Sequence, residues 1–328
     1  MKRVIRAALA AAAVMAVTIM AAAGIAPALA QTPRTITLVV GFAGGTAPDT
    51  LARILADAMQ RAGNTNVVVE NVPGAGGQVA SARVARAAAD GSVVLLGEVG
   101  SVAIAPFAFA SLPYDPAKDF TYVSEVARTN FAFVVPDQGG PASIAAFIEA
   151  AKKADRTLLG TFGVTSPGHI AAELFAQSAG FKGEPVHYRA VADGIGDIAR
   201  GQTAGSFFSI PLAAAQIRSG GLRALVQTGA TRADMLPGVP TAAEAGVPYL
   251  SMSSWFVLMV PAAVPAATVA EIHRAAAAAV RDPAALDRLR GAGFEAVGSS
   301  PDEVKAMVGR ERDRWKPVIE RAGIRITN

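Results

Sequence analysis

Two rhythms of apolar residues alternate along the chain. Thr35–Val40, Val67–Glu70 and Val93–Leu96 are each predicted as a strand, the first a continuous β-rich run expected to be covered on both faces. Between them the spacing becomes helical. Leu51, Ile54, Leu55, Ala58 and Met59 fall at i, i+3, i+4, i+7 and i+8, which is one apolar face. Val79–Ala88 is predicted as a second helix. Strands alternating with helices imply a parallel α/β sheet with right-handed crossovers. Tyr122–Val135 holds two extended runs around Arg128–Asn130 and is read as a crossover into a second domain. There the pattern resumes: helix Ser143–Lys153, strand Leu158–Thr161, strand Val186–Tyr188, helix Gly194–Arg200, strand Gly205–Ser209, helix Leu212–Ser219 and strand Leu222–Thr228. Ser251–Val260 is extended and returns to the first domain. Thr268–Val280 and Ala284–Gly291 are helical, and Ser300-Pro301-Asp302-Glu303 is a capping box opening the last helix.

Two stretches share one local plan. Leu38–Met59 and Leu159–Phe175 each run from an apolar strand through a loop of Gly, Thr and Ser into a helix opened by proline, Pro48 in one and Pro167 in the other. Such a turn leaves unpaired backbone N–H groups at the positive end of a helix dipole. Two of them facing each other across a cleft can hold a carboxylate without a buried arginine. Gly97–Ser101 leaves the third strand at the same sheet edge, where open parallel sheets place their ligands.

Composition narrows the setting. Lys2, Arg3 and Arg6 precede an alanine-rich apolar run, and Ala28-Leu29-Ala30 is a small-x-small cleavage site. Residues 1–30 are therefore read as a signal peptide, cleaved after Ala30 to export the chain to the periplasm. Without those three basic residues the balance is 27 basic against 26 acidic, and no basic patch suggests nucleic acid. The 328 residues contain no cysteine, which excludes disulfides, thiolate metal sites and a cysteine nucleophile. No later run is long and apolar enough to span a membrane, so the mature protein is expected to be soluble, and it is read as a monomer.

Several longer segments then carry a resemblance: ITLVVGFAGGTAPDTLARILA, VVVENVPGAGGQVASARVARAAADG, LPYDPAKDF, GHIAAELF, SGGLRALVQTGATRADMLPGVPTAAEAGVP and SSWFVLMVPAAVPA. In this order, over essentially the whole mature chain, they resemble the periplasmic substrate-binding receptors of tripartite tricarboxylate transporters, the Bug receptors. The resemblance implies a type II periplasmic binding protein fold. It comprises two α/β domains, residues 31–130 with 254–328 and residues 131–253, joined by a two-crossover hinge with the ligand cleft between them. It also implies capture of a small organic mono- or dicarboxylate and its delivery to the membrane subunits of a transporter, with no cofactor and no metal. Carried over position by position, Phe42, Ala43, Gly45, Thr46 and Asp49 come from the first turn. Val99 and Ser101 come from the second, where Val99 stands in place of a usual serine or asparagine. Thr161, Val164, Thr165, Ser166 and His169 come from the third, followed by Arg189, Ala190 and Ser209. Glu98 is unusual and would repel an anion if it faced the cleft. Threonine at Thr46 and Thr165, with Val99, points to a narrower site with an apolar wall.

Plainer readings stand beside these. His169 serves equally as a satisfied structural histidine, and Arg189 as a surface arginine. His187 and His273 are read as non-functional, and Trp255 as a packing anchor. Asp115 and Asp119 are read as turn formers. Gly74-Ala75-Gly76-Gly77 lacks the last glycine of a dinucleotide fingerprint and is read as a structural turn. Three scattered histidines do not make a zinc site. The rival class is a periplasmic hydrolase, for which Ser166 with His169 is the one available pair. A receptor feeding a sensor kinase is a further alternative.

Overall fold

The computed structural model describes residues 34–62, 65–162, 166–188 and 190–327. The proposed signal peptide, Val164, Thr165 and Arg189 lie outside the described residues. Two mixed sheets organise the chain. The first runs in the order β11-β4-β10-β3-β1-β2, from β1 (Arg34–Val40), β2 (Thr65–Asn71), β3 (Val93–Glu98), β4 (Phe120–Thr129), β10 (Ser254–Pro261) and β11 (Glu295–Ala296). The second runs β7-β6-β8-β5-β9, from β5 (Phe131–Pro136), β6 (Thr157–Thr161), β7 (Gly183–His187), β8 (Gly205–Ser209) and β9 (Leu222–Gln227). The predicted alternation is present where strands are joined by helices: β1 pairs in parallel with β2 and β3, and β6 with β7 and β8. The sheets are not purely parallel. β10 is antiparallel to both β3 and β4, and β5 is antiparallel to both β8 and β9. The reason is connectivity, since a strand entered from the other sheet has no crossover helix to reverse its direction.

The passage between sheets is abrupt. One residue, Asn130, separates β4 from β5, and the return passes through a long irregular segment that ends at β10. β4 and β10 belong to the first sheet, and the strands between them to the second. Strand alternation sorts the side chains. In β3, Val94 and Leu96 enter a core with Leu51, Leu55 and Met59 of α1 (Ala47–Ala62), while Leu95 enters the core on the opposite face. In β5, Ala132 and Val134 face one core, and Phe133 and Val135 the other. Phe133 meets Phe147 and Phe175 edge-on at centroid distances of 4.8 and 5.1 Å, a favoured aromatic arrangement.

The last helix ties the two sheets together. It is the tenth α-helix among the described residues, α10 (Pro301–Ala322), opened by the expected capping box: Ser300 accepts from the Glu303 N–H, and Glu303 accepts from the Ser300 N–H. Its Glu311 Oε2 accepts from the indole N–H groups of both Trp255 (3.1 Å) and Trp315 (2.9 Å). Trp255 is thus a buried anchor on β10, as read from the sequence. From the same helix, Arg314 donates to the carbonyls of Tyr249 and Ser251 and holds the returning chain.

Candidate functional site

The carboxyl ends of β1, β2 and β3 each release a turn, and the three turns pack on one another. The first is Gly41–Thr46. A methyl group at Gly41 would lie 2.6 Å from Gly77 Cα, so only glycine permits this approach. Asp49, in the first turn of α1, is 3% exposed, and its carboxylate is turned back onto its own loop. Oδ2 accepts from the Gly45 N–H (2.8 Å) and Arg53 Nε (3.0 Å), while Oδ1 accepts from Asn71 Nδ2 (3.0 Å). The Asn71 amide also donates to the Phe42 carbonyl at 3.0 Å. Hydrogen bonding from Arg53, aided by Gly45 and Asn71, holds the Asp49 pKa below the usual carboxylate range against the opposing effect of burial. Asp49 therefore shapes the turn from behind. Thr46 donates its hydroxyl to the Ala43 carbonyl (2.7 Å), and Ala43, Gly44 and Gly45 remain exposed.

The second turn follows β2. Gly77 lies against both Ser101 and Phe42, since a methyl there would be 3.6 Å from Ser101 Cβ and 3.8 Å from Phe42 Cε2. This is the glycine run read from the sequence as structural. It is that, and it also brings the start of α2 (Gln78–Ala85) into the same corner. The available signal was its plan of strand, glycine turn and helix, which repeats that of the first turn. Gln78 is 4% exposed, and its Nε2 has no hydrogen-bond partner among the described residues.

The third turn follows β3 and tightens into a π-helical turn, Gly100–Ile104. Val99 is buried in the hydrophobic core and offers no side chain to solvent. Ser101 is buried, with Oγ 3.3 Å from the Glu98 carbonyl and 3.5 Å from its N–H. Tyr114 donates to the Ser101 carbonyl at 2.7 Å and braces the turn. Glu98 is 8% exposed. Burial pushes its pKa up to about 7, opposed by a hydrogen bond from the Gly100 N–H.

In the second sheet the matching turns follow β6, β7 and β8. Ser166 caps α5 (Pro167–Ala179), accepting from the His169 N–H at 3.2 Å. The hydroxyl of Ser166 thus serves the backbone, while the His169 ring lies elsewhere. That ring meets His187 edge-on at 4.7 Å, and its Nε2 is 3.7 Å from Glu173 Oε1. His187 hydrogen-bonds the buried Thr161 hydroxyl through Nδ1, at 2.5 Å. His187, read from the sequence as non-functional, joins this cluster because Thr161, His169 and His187 meet once β6 and β7 pair. Burial and the neighbouring His169 lower the His187 pKa, against a raising effect of Glu173. Ala190 is exposed and precedes α6 (Val191–Ala199). Ser209 ends β8 and precedes α7 (Ile210–Ser219), whose first N–H donates to the Asn130 carbonyl at 3.1 Å.

A cavity of about 680 Å³ lies between Asn130 and Ile210 on one side and Leu286–Ala296 on the other. It contains none of the expected site residues. Among the described residues, no group of three or more His, Asp or Glu is placed to hold a metal ion.

Two α/β lobes that collect helix starts at the carboxyl ends of their parallel strands define a class: periplasmic solute-binding proteins. Comparison with known proteins identifies the family. A model described as tripartite tricarboxylate transporter family receptor matches residues 51–324, and the chain belongs to that family. Protein BugT of Bordetella pertussis is 30% identical over 311 residues, covering 93% of this chain and 95% of that relative. Among solved structures, R. palustris Rpa4515 with adipate superposes with a TM-score of 0.78 at 32% identity, covering 89% of this chain and 99% of that one. MatC of Rhodopseudomonas palustris with bound malate gives 0.75 at 28% identity, covering 87% and 99%. The periplasmic binding protein BugD gives 0.75 at 26% identity, covering 90% and 99%. Relatives in this family are binding receptors. No helix among the described residues is long and apolar enough to cross a membrane.

Proposed function

We propose that the chain is an exported receptor that captures a small organic carboxylate between its two lobes and delivers it to the membrane subunits of a tripartite tricarboxylate-type transporter. The observation that carries this reading is the convergence of the turns after β1, β2 and β3. They bring the starts of α1 and α2 to one edge, where backbone N–H groups and helix dipoles favour an anion. The turns after β6 and β8 supply the same elements from the second lobe. A ligand touching both sets gains its full contacts only when the lobes meet, so it raises the population of the closed form. Asn130 and the return into β10 serve as the hinge, and residues 31–130 with 254–328 move against residues 131–253. The adipate and malate held by the two structural relatives support an acid of a few carbons. Phe42, Ala43, Gly45, Thr46, Ser101, Ser166, His169, Ala190 and Ser209 line the cleft in this reading. Asp49 and Val99 hold its turns from behind.

A thermal-shift screen of residues 31–328 tests it, with aliphatic mono- and diacids, hydroxy acids, citrate, aromatic acids and acidic amino acids set beside their amides. Binding to the native state raises the midpoint with ligand concentration. A shift for one acid class that is absent for its amide is the expected result. Shifts confined to sugars or other uncharged compounds would overturn the anion site.

A further inference from the structure

The helix that follows β6 also reaches the end of the chain. On α5, His169, Glu173 and Gln177 fall at i, i+4 and i+8 and so share one face. That face meets the last turns of α10. Gln177 Nε2 donates to the Val318 carbonyl (3.0 Å), and Arg321 Nε donates to Gln177 Oε1 (3.2 Å). α10 stops at Gly323, whose φ of 64° turns the chain out of the helix. The residues that follow fasten to the first lobe. Ile326 donates its N–H to the Ala108 carbonyl (2.7 Å), and its own carbonyl accepts from the Ala110 N–H (3.0 Å). Ile324 packs against the core. The segment alternates as a strand does, with Ile324 and Ile326 half-buried and Arg325 between them exposed.

A cavity of about 450 Å³ separates this segment from β7 and from the α5 face of the second lobe. Its walls carry opposite charges that do not meet. The Glu173 side chain is 17% exposed and faces His169 Nε2 at 3.7 Å, beyond hydrogen-bond distance. Glu184, on the same wall, is engaged by Arg156 at 3.2 Å. Arg325 lines the cavity from the opposite wall, and among the described residues no acidic group pairs with it. A strap fastened to one lobe thus holds a cation across a gap from a half-buried anion on the other.

We infer that residues 324–327 form a latch for lobe closure, in which Arg325 of the first lobe comes onto Glu173 of the second as the cavity narrows. The inference rests on the lobe closure of the proposed function and adds to it a contact made by the protein with itself. Glu173 lies one helical turn beyond His169, so drawing it toward the strap draws the start of α5 toward the first lobe. The closed form gains an ion pair that the open form lacks, and the latch biases the balance of the two before any ligand binds. Apparent ligand affinity rises with the share of closed form.

The chain has no cysteine, so a pair of spin labels reads the lobe separation directly. Labels placed at Ala88→Cys in the first lobe and Ala154→Cys in the second occupy exposed positions. Pulsed dipolar spectroscopy of residues 31–328 is run alone and with each acid that raises the melting midpoint. It compares the parent with Arg325→Glu, Glu173→Lys and the double variant in which the two charges are exchanged. The expected result is two distances in the parent, with the ratio of shorter to longer lower by about fivefold in each single variant and regained in the exchanged pair. Sodium chloride at about 1 M should shrink the difference between parent and Arg325→Glu. Coincident distributions in those two proteins would overturn the latch, and so would an exchanged pair no more closed than the single variants. Melting curves check folding. If Glu173→Lys unfolds early, Arg325→Glu and Arg325→Ala decide the matter, since Arg325 is exposed. One unchanging distance under every condition would overturn the latch together with lobe closure, while an acid that still raises the melting midpoint would leave the carboxylate receptor standing.

Discussion

The turns after β1 and β6 look alike in sequence and are built differently. The first is held by charge. A buried Asp49 carboxylate gathers the Gly45 N–H, the Arg53 guanidinium and the Asn71 amide. Beside the second, the described residues make neutral contacts, a Ser166 cap on the backbone and a Thr161 hydroxyl on His187. In the first turn the supporting bonds lie within the turn and behind it, and at the second they lie on its flanks. The comparison teaches that a loop of small residues presents its N–H groups outward only when other side chains fix it from the rear. The identity of those side chains is open to variation.

The sharpest way to break the comparison is Asp49→Ala. It leaves the part-buried Gly45 N–H and Asn71 amide without their carboxylate and should cost about 2 kcal/mol, allowing for the exposure of Arg53. Thermal or urea unfolding measures the cost, and ligand affinity should fall with it. A loss below about 1 kcal/mol would show that the first turn does not depend on charge. The same charge sets a pH dependence. A folded pKa below the ordinary value gives stability that is present above the unfolded pKa and lost as pH falls through the folded one.

Glu98 should behave in the opposite sense. Its pKa is raised to about 7 from an ordinary 4.5, so between those values the folded state holds more protons than the unfolded state. Stability should therefore fall as pH rises from about 5 to about 7 and then level off. A shift of this size corresponds to roughly 3 kcal/mol at most. Glu98→Gln should remove the slope and raise the midpoint at pH 8 by about 2 kcal/mol's worth of stability, which melting curves across pH will read. An unchanged slope would place the carboxyl in contact with water.

Gly41→Ala tests the packing of the first and second turns. The added methyl meets Gly77 Cα at 2.6 Å, and forcing the two turns apart should cost about 2 kcal/mol and weaken binding. The smallest effect belongs to the neutral turn. Thr161→Val removes the hydroxyl from His187 and should cost about 1 kcal/mol, measured by the same unfolding curves. If it cost as much as Asp49→Ala, the contrast between the two turns would collapse.

Much of this architecture could be read ahead of the structure. The runs of β-branched residues marked β1 and β3, the i, i+3, i+4 spacing marked α1, and the extended pair around Asn130 marked the passage between sheets. Ser166-Pro167 and Ser300-Pro301 marked helix starts, since a cap and its proline are neighbours in sequence. The supporting partners were hidden because they are remote. Asn71 reaches Asp49 from 22 residues away. His187 reaches Thr161 from 26. Gly77 meets Gly41 only after β1 and β2 align.

Local chemistry was thus enough to specify strands, helices, caps and the turn type, because propensity and periodicity act over a few residues. It was also enough for a family resemblance carried by continuous motifs. Which turns pack together, which carboxylate is satisfied and which is left buried without a cation were decided by strand pairing and burial. Asp49 and Glu98 are the same kind of group in one sequence. The three-dimensional neighbours of each lower the pKa of the first and raise that of the second, because desolvation and hydrogen bonding depend on what the fold brings within a few ångströms.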